Sequence, residues 1–158
     1  MSRIVYVNGQ FLPEETAAVS IFDRGFLMAD AVYEVSAVVN GRLVDNDGHL
    51  RRLERSLGEL AMPLPLPPAE LVALEERLIA DNQLREGIVY IQVTRGTADR
   101  DFLYDPAMRP TLVLFTQAKT IIDVPAAQKG LRVMAHPDIR WGRRDIKTTQ
   151  LLAQSLAK

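Results

Sequence analysis

Lys147 ends the run Trp141-Gly142-Arg143-Arg144-Asp145-Ile146-Lys147 and stands just ahead of a helical pattern. Nearby cations and burial both disfavour an ammonium ion, and a neutral amine can condense with an aldehyde to give a Schiff base. A lysine in a basic turn is equally well read as a solvated surface charge, so position alone leaves both readings open. Arg51, Arg52 and Arg55 follow at helical spacing. A guanidinium fork matches phosphate oxygens and keeps its charge, so these arginines either hold a phosphate or form a wet helix face. In Thr94-Arg95-Gly96-Thr97-Ala98-Asp99-Arg100-Asp101 two arginines follow an apolar strand pattern. They can clamp a carboxylate, or pair locally with Asp99, Asp101 and Asp105. Tyr33 and Glu34 are adjacent in a strand pattern and must point to opposite faces, which makes one of them structural. A cleft-facing Tyr33 would offer its hydroxyl to a carboxylate. His49 and His136 are isolated, and no metal site is assigned.

The elements that must position these groups show in the patterning. Ile4 to Val7 and Gln10 to Leu12 flank Asn8-Gly9, and the β-rich run 31–39 precedes Asn40-Gly41 and Arg42-Leu43-Val44. Two Asn-Gly hairpins imply an antiparallel sheet. Leu50, Leu53, Leu57 and Leu60 predict an amphipathic helix, capped by Asn46 or Asp47. The proline-rich stretch 63–68 ends it, and Pro68 suits the first turn of a second helix through about Asn82, with Leu71, Leu74 and Leu78 inward. Residues 88–94 and 111–116 predict buried strands. Residues 120–128 read as a connector, 131–135 as a strand, and 148–158 as a helix bearing Leu151, Leu152 and Leu156. The expected class is α+β: a small two-layer domain over 1–119 with an antiparallel-rich sheet and two helices, then the beginning of a larger α/β domain over 129–158. A lobe that begins so late points to a fragment of a longer protein.

Composition narrows the chemistry. The chain carries 19 basic and 20 acidic residues, so no overall field attracts nucleic acid or anionic lipid and any anion site must be local. It has no cysteine, which excludes thiolate nucleophiles and disulfides. No apolar run approaches the ~20 residues of a membrane helix and no signal-peptide pattern opens the chain, so a cytoplasmic protein is expected.

Together, Phe22-Asp23-Arg24-Gly25-Phe26, Asp30-Ala31-Val32-Tyr33-Glu34, His49-Leu50-Arg51-Arg52-Leu53, Gln92-Val93-Thr94-Arg95-Gly96 and Asp138-Ile139-Arg140-Trp141 with Asp145-Ile146-Lys147 resemble, in order and spacing, the fold-type IV pyridoxal-phosphate aminotransferases. The branch they look most like is that of the D-amino-acid aminotransferases. The resemblance implies pyridoxal 5'-phosphate as cofactor, Lys147 as Schiff-base lysine and proton shuttle, and Arg52 at the cofactor phosphate. It implies Tyr33 and Arg100 at the substrate carboxylate, amino-acid and 2-oxo-acid substrates, and a homodimer. Branched-chain L-amino-acid aminotransferases and aminodeoxychorismate lyases share the lysine and phosphate arginine and are the alternatives within the fold. A non-catalytic fragment is the alternative outside it. Two departures bear on handedness: Ala29-Asp30-Ala31 replaces the branch's Gly-Asp-Gly, and Phe102 replaces a histidine. The carboxylate that would pair with the pyridine nitrogen lies beyond Lys158 in the family, so the chain alone is expected to be inactive.

Overall fold

The computed structural model describes residues 2–158. Both Asn-Gly pairs form the tight turns their sequence demands. Asn8 and Gly9 have φ of 46° and 95°, and Asn40 and Gly41 have φ of 52° and 75°, the left-handed pair that matches strand twist in a two-residue hairpin. They join β1 (Ile4–Val7) to β2 (Gln10–Pro13) and β3 (Ala31–Val39) to a short β4 (Arg42–Leu43). A short helix, α1 (Arg24–Met28), precedes β3. Two long helices follow, α2 (Asn46–Glu59) and α3 (Pro68–Asp81), then β5 (Glu86–Thr94) and β6 (Thr111–Ala118). Every strand pairing is antiparallel and the order is β2-β1-β6-β5-β3-β4, with β3 and β5 paired along their full lengths.

Side-chain alternation gives the sheet two unlike faces. Val32 and Val38 of β3, Val89, Ile91 and Val93 of β5, and Leu112 and Leu114 of β6 are buried. They pack against Leu50, Leu53 and Leu57 of α2 and Leu71, Leu78 and Ile79 of α3, making one α/β layer pair. On the other face Tyr33, Tyr90 and Phe115 stack in a row, with ring centroids 5.4 and 4.7 Å apart. The strands expected to be fully buried are therefore buried on one face and half-buried on the other. The α+β class and the two-layer sheet-and-helix body are as the sequence predicts.

Three local expectations need correcting. Neither Asn46 nor Asp47 caps α2: its N-cap position is Asp45, in a left-handed conformation and without a side-chain cap bond. The Asn46 amide turns inward instead, accepting from Ser36 Oγ and donating to Glu75 Oε2, each at 2.6 Å. Residues 131–135 form no strand, and Leu131, Val133 and Met134 are 77%, 91% and 85% exposed. A strand exists only where a neighbour satisfies its backbone groups, and no described strand lies beside this segment. The helix at 148–158 shrinks to α5 (Leu152–Leu156), following a short α4 (Pro125–Lys129).

Candidate active-site cleft at the edge of the sheet

Because β4 covers only Val38 and Val39, the other end of β3 is an open strand edge. Residues 147–149 occupy it. Tyr33 N–H donates to the Lys147 carbonyl at 3.0 Å, and Thr149 N–H donates to the Ala31 carbonyl at 3.2 Å. Ile146, 4% exposed, enters the core, and Lys147 N–H reaches Ser56 Oγ on α2 at 3.4 Å. Lys147 is thus carried along the β3 edge, with its Nζ 4.1 Å from the centroid of the Tyr33 ring. Lys147 Nζ makes no ion pair among the described residues.

Lys147, Tyr33 and Arg52 line one open cleft of about 240 Å³, together with Arg140, Trp141 and Arg144. Arg52 is partly exposed but not a free cation. Its Nε and Nη2 donate to the two oxygens of Glu34 at 2.5 and 2.6 Å, and Nη1 makes no contact with a described acceptor. His49 Nδ1 lies 2.9 Å from Glu34 Oε2. An ionised carboxylate only accepts, so this contact assigns the proton to Nδ1. Burial alone would push the Glu34 pKa up, but the Arg52 and His49 hydrogen bonds outweigh it and hold the carboxyl below its ordinary value. The same hydrogen bond to Glu34 raises the Arg52 pKa. The Arg140 side chain draws the exposed Asp138 carboxyl well below the usual carboxylate range. With Arg52, Arg140, Arg144 and Lys147 against Asp145, the cleft lining is predominantly cationic although the chain is nearly neutral.

Other motif residues prove architectural. Asp23 caps α1, accepting from Gly25 N–H and from Thr94 Oγ1 at 2.8 Å each. A Cβ on Gly25 would stand 2.5 Å from Thr94 Cγ2, which explains the glycine. Asp30 receives Arg24 Nε and Arg95 Nε, both at 2.8 Å. The expected local pairing of Arg95 with Asp99, Asp101 or Asp105 is not found. Arg95 is buried, gives Nη2 to the Leu60 carbonyl and stacks on Tyr104, so it clamps the loop and no ligand. Gly96, at φ +111°, lies so close to Arg109 that a Cβ would approach its carbonyl to 2.1 Å.

The sequence-predicted residues therefore divide. Lys147, Arg52 and Tyr33 meet in one cleft. Arg100 does not: it is exposed on the loop after β5, with its guanidinium 5.5 Å from the Phe102 ring. Glu34, His49 and Ser56 contribute contacts the sequence did not assign. A lone acid at the inward parity of an apolar strand was the available signal for Glu34, because a buried carboxylate needs a cationic partner.

A lysine pinned at a strand edge, its Nζ without an ion-pair partner among the described residues, shares a cationic cleft with a guanidinium, an arrangement suited to an anion. The Amino-transferase class IV family profile matches residues 31–158, and the chain belongs to that family. It is 36% identical over 157 residues to a D-alanine aminotransferase of Staphylococcus aureus (strain MSSA476), covering 98% of this chain and 55% of that protein. Among solved structures, 4-amino-4-deoxychorismate lyase from Pseudomonas aeruginosa superposes with a TM-score of 0.74 at 27% identity, over 97% of this chain and 55% of that one. A branched-chain amino acid aminotransferase from T.th., solved with pyridoxamine 5'-phosphate, shares the fold, with a TM-score of 0.72 at 17% identity over 79% of this chain and 42% of that one. The chain spans about half the length of the curated relatives it matches. Class IV aminotransferases depend on pyridoxal phosphate, and the groups present fit that cofactor: an amine without an ion-pair partner, and an arginine whose Nη1 is still unbonded.

Proposed function

We propose that these residues form part of the active site of a pyridoxal-phosphate-dependent aminotransferase that exchanges an amino group between an amino acid and a 2-oxo acid. The observation that carries the reading is the convergence of Lys147, Arg52 and Tyr33 on one cleft from three separate elements. When bound, the cofactor supplies an aldehyde for the lysine amine and a ring that takes up electrons as a proton leaves the substrate carbon. Lys147 Nζ holds and returns that proton, and the aromatic face beneath it limits where the amine can travel. Arg52, with Nη1 left over from the Glu34 fork, would hold the cofactor phosphate. The Tyr33 hydroxyl has no hydrogen-bond partner among the described residues and is free to donate to a substrate carboxylate. The identity to D-alanine aminotransferases favours a D-amino acid as amino donor, with a branched-chain amino acid or an aminodeoxychorismate-like substrate as the alternatives. Arg100 lies outside the cleft, so its role at the substrate carboxylate belongs to the proposed homodimer rather than to a single chain. Residues 1–119 are the small domain, 120–128 the connector, and 129–158 the opening of a cofactor-binding domain in a cytoplasmic enzyme. The cleft is smaller than the ~300–1,000 Å³ of most ligand pockets, as expected of part of a site.

Borohydride reduction of the full-length protein with pyridoxal phosphate should leave a label on Lys147 by peptide mass spectrometry, and Lys147→Ala should abolish it. An unchanged label in that variant removes the proposal. A panel of D- and L-amino acids as donors separates the substrate readings.

A further inference from the structure

We infer that Glu34 is a positioning residue: with His49 behind it, it fixes the Arg52 guanidinium so that Nη1 is presented to an anionic group in the cleft before that group arrives. This inference rests on the reading of Arg52 as the phosphate-holding arginine. Glu34 is completely buried on the helix-facing side of β3, whereas the Arg52 side chain is 45% exposed. A long exposed arginine ordinarily samples many rotamers, and ordering it at the moment of binding weakens affinity. Here two parallel bonds at 2.5 and 2.6 Å fix the plane of the guanidinium, since a fork on a carboxylate removes rotation as well as translation. The His49 contact at 2.9 Å gives Oε2 a second partner, next to Arg52 Nη2, which lies 3.3 Å from His49 Nδ1. The backbone that carries the carboxylate is held in place, because β3 is paired to β5 along its whole length and Glu34 sits opposite Ile91. Among the described residues, the one Arg52 guanidinium nitrogen left without a hydrogen-bond partner is Nη1, on a residue that lines the cleft. Outer partners that orient a ligating group commonly govern affinity by about 10–100-fold, as established for metal sites.

The test compares pyridoxal phosphate with phosphate-free pyridoxal, each titrated by absorbance into the full-length protein. The readout is the ratio of the two dissociation constants, which isolates the phosphate contact from folding and from Lys147. Glu34→Gln should weaken pyridoxal phosphate binding about tenfold while leaving pyridoxal binding unchanged. Arg52→Met should do the same, and the double variant should be no worse than Arg52→Met alone. Equal weakening of both ligands by Glu34→Gln, or an unchanged ratio, overturns the inference. An unchanged ratio in Arg52→Met instead removes the phosphate role of Arg52, and the Lys147 label reports separately on the enzyme reading. If Glu34→Gln does not fold, Glu34→Asp takes its place: it keeps the charge but shortens the side chain, so the two-bond fork on Arg52 is lost. A ratio moved in the same direction supports the inference, and an unmoved ratio overturns it.

Discussion

Residues 2–118 and residues 119–158 have similar apolar patterning and opposite fates. In the first region Ile88, Val89, Tyr90, Ile91 and Val93 have a strand on each side and two helices above, and Val89, Ile91 and Val93 are sealed. In the second, Leu131, Val133 and Met134 have no paired neighbour and face outward, and only Ile146 and Thr148 are buried. What separates them is the supply of partners rather than the residues themselves. The exception teaches most, because the second region becomes ordered against the first where it finds an unpaired strand edge, and that is where Lys147 sits.

Truncations should expose this contrast most sharply. Measured on this 158-residue chain, Leu71→Ala, in the core under α3, should cost ~2–5 kcal/mol in urea unfolding, whereas Leu131→Ala should stay within ~0.5 kcal/mol. Equal costs would break the comparison. Ile146→Ala should cost ~2–4 kcal/mol, but only for docking of the lysine segment. Hydrogen exchange should show it as lost protection at the Tyr33 amide, which donates to Lys147, while the amides shared by β5 and β6 keep theirs.

A smaller effect tests the interior of the first region. Burial pushes the Glu75 carboxyl up to about 7, the Asn46 amide lowers it in part, and Glu75 Oε1 has no partner. A raised folded-state value means that the folded chain holds this proton more tightly than the unfolded chain. The stabilisation is complete below pH 4.5 and is lost as pH rises through about 7. Glu75→Gln should abolish that slope and raise stability at pH 8 by ~2–3 kcal/mol, measured by unfolding at pH 5 and pH 8. Smallest is Ala29→Gly. Ala29 ends α1 at φ 55°, a conformation that costs a residue with a Cβ roughly 1–2 kcal/mol. Glycine should therefore raise the melting temperature, by a gain of ~0.5–1 kcal/mol after its own chain entropy is counted.

Much of this was legible in the sequence. The Asn-Gly pairs encode their own turn geometry, Pro68 marks the start of α3, and the leucine spacing of α2 shows its buried stripe. Lys147, Arg52 and Tyr33, singled out through linked motifs, line one cleft. The misses share a cause, which is that local pattern carries no information about distant partners. Glu34 finds its arginine on another element eighteen positions later, Arg95 takes Asp30 rather than the nearer acids, and 131–135 has strand composition without a neighbour. Asn46, read as a cap, is drawn inward by Ser36 and Glu75.

The two roles of Tyr33 are chemically separable. Its main-chain amide anchors the lysine segment, while its ring forms the floor under the amine. Every amino acid except proline has that amide, so the floor can be rebuilt with another side chain and the anchor will hold. Position 33 is therefore a place where the side chain that faces the cleft can be exchanged without relocating the Lys147 amine.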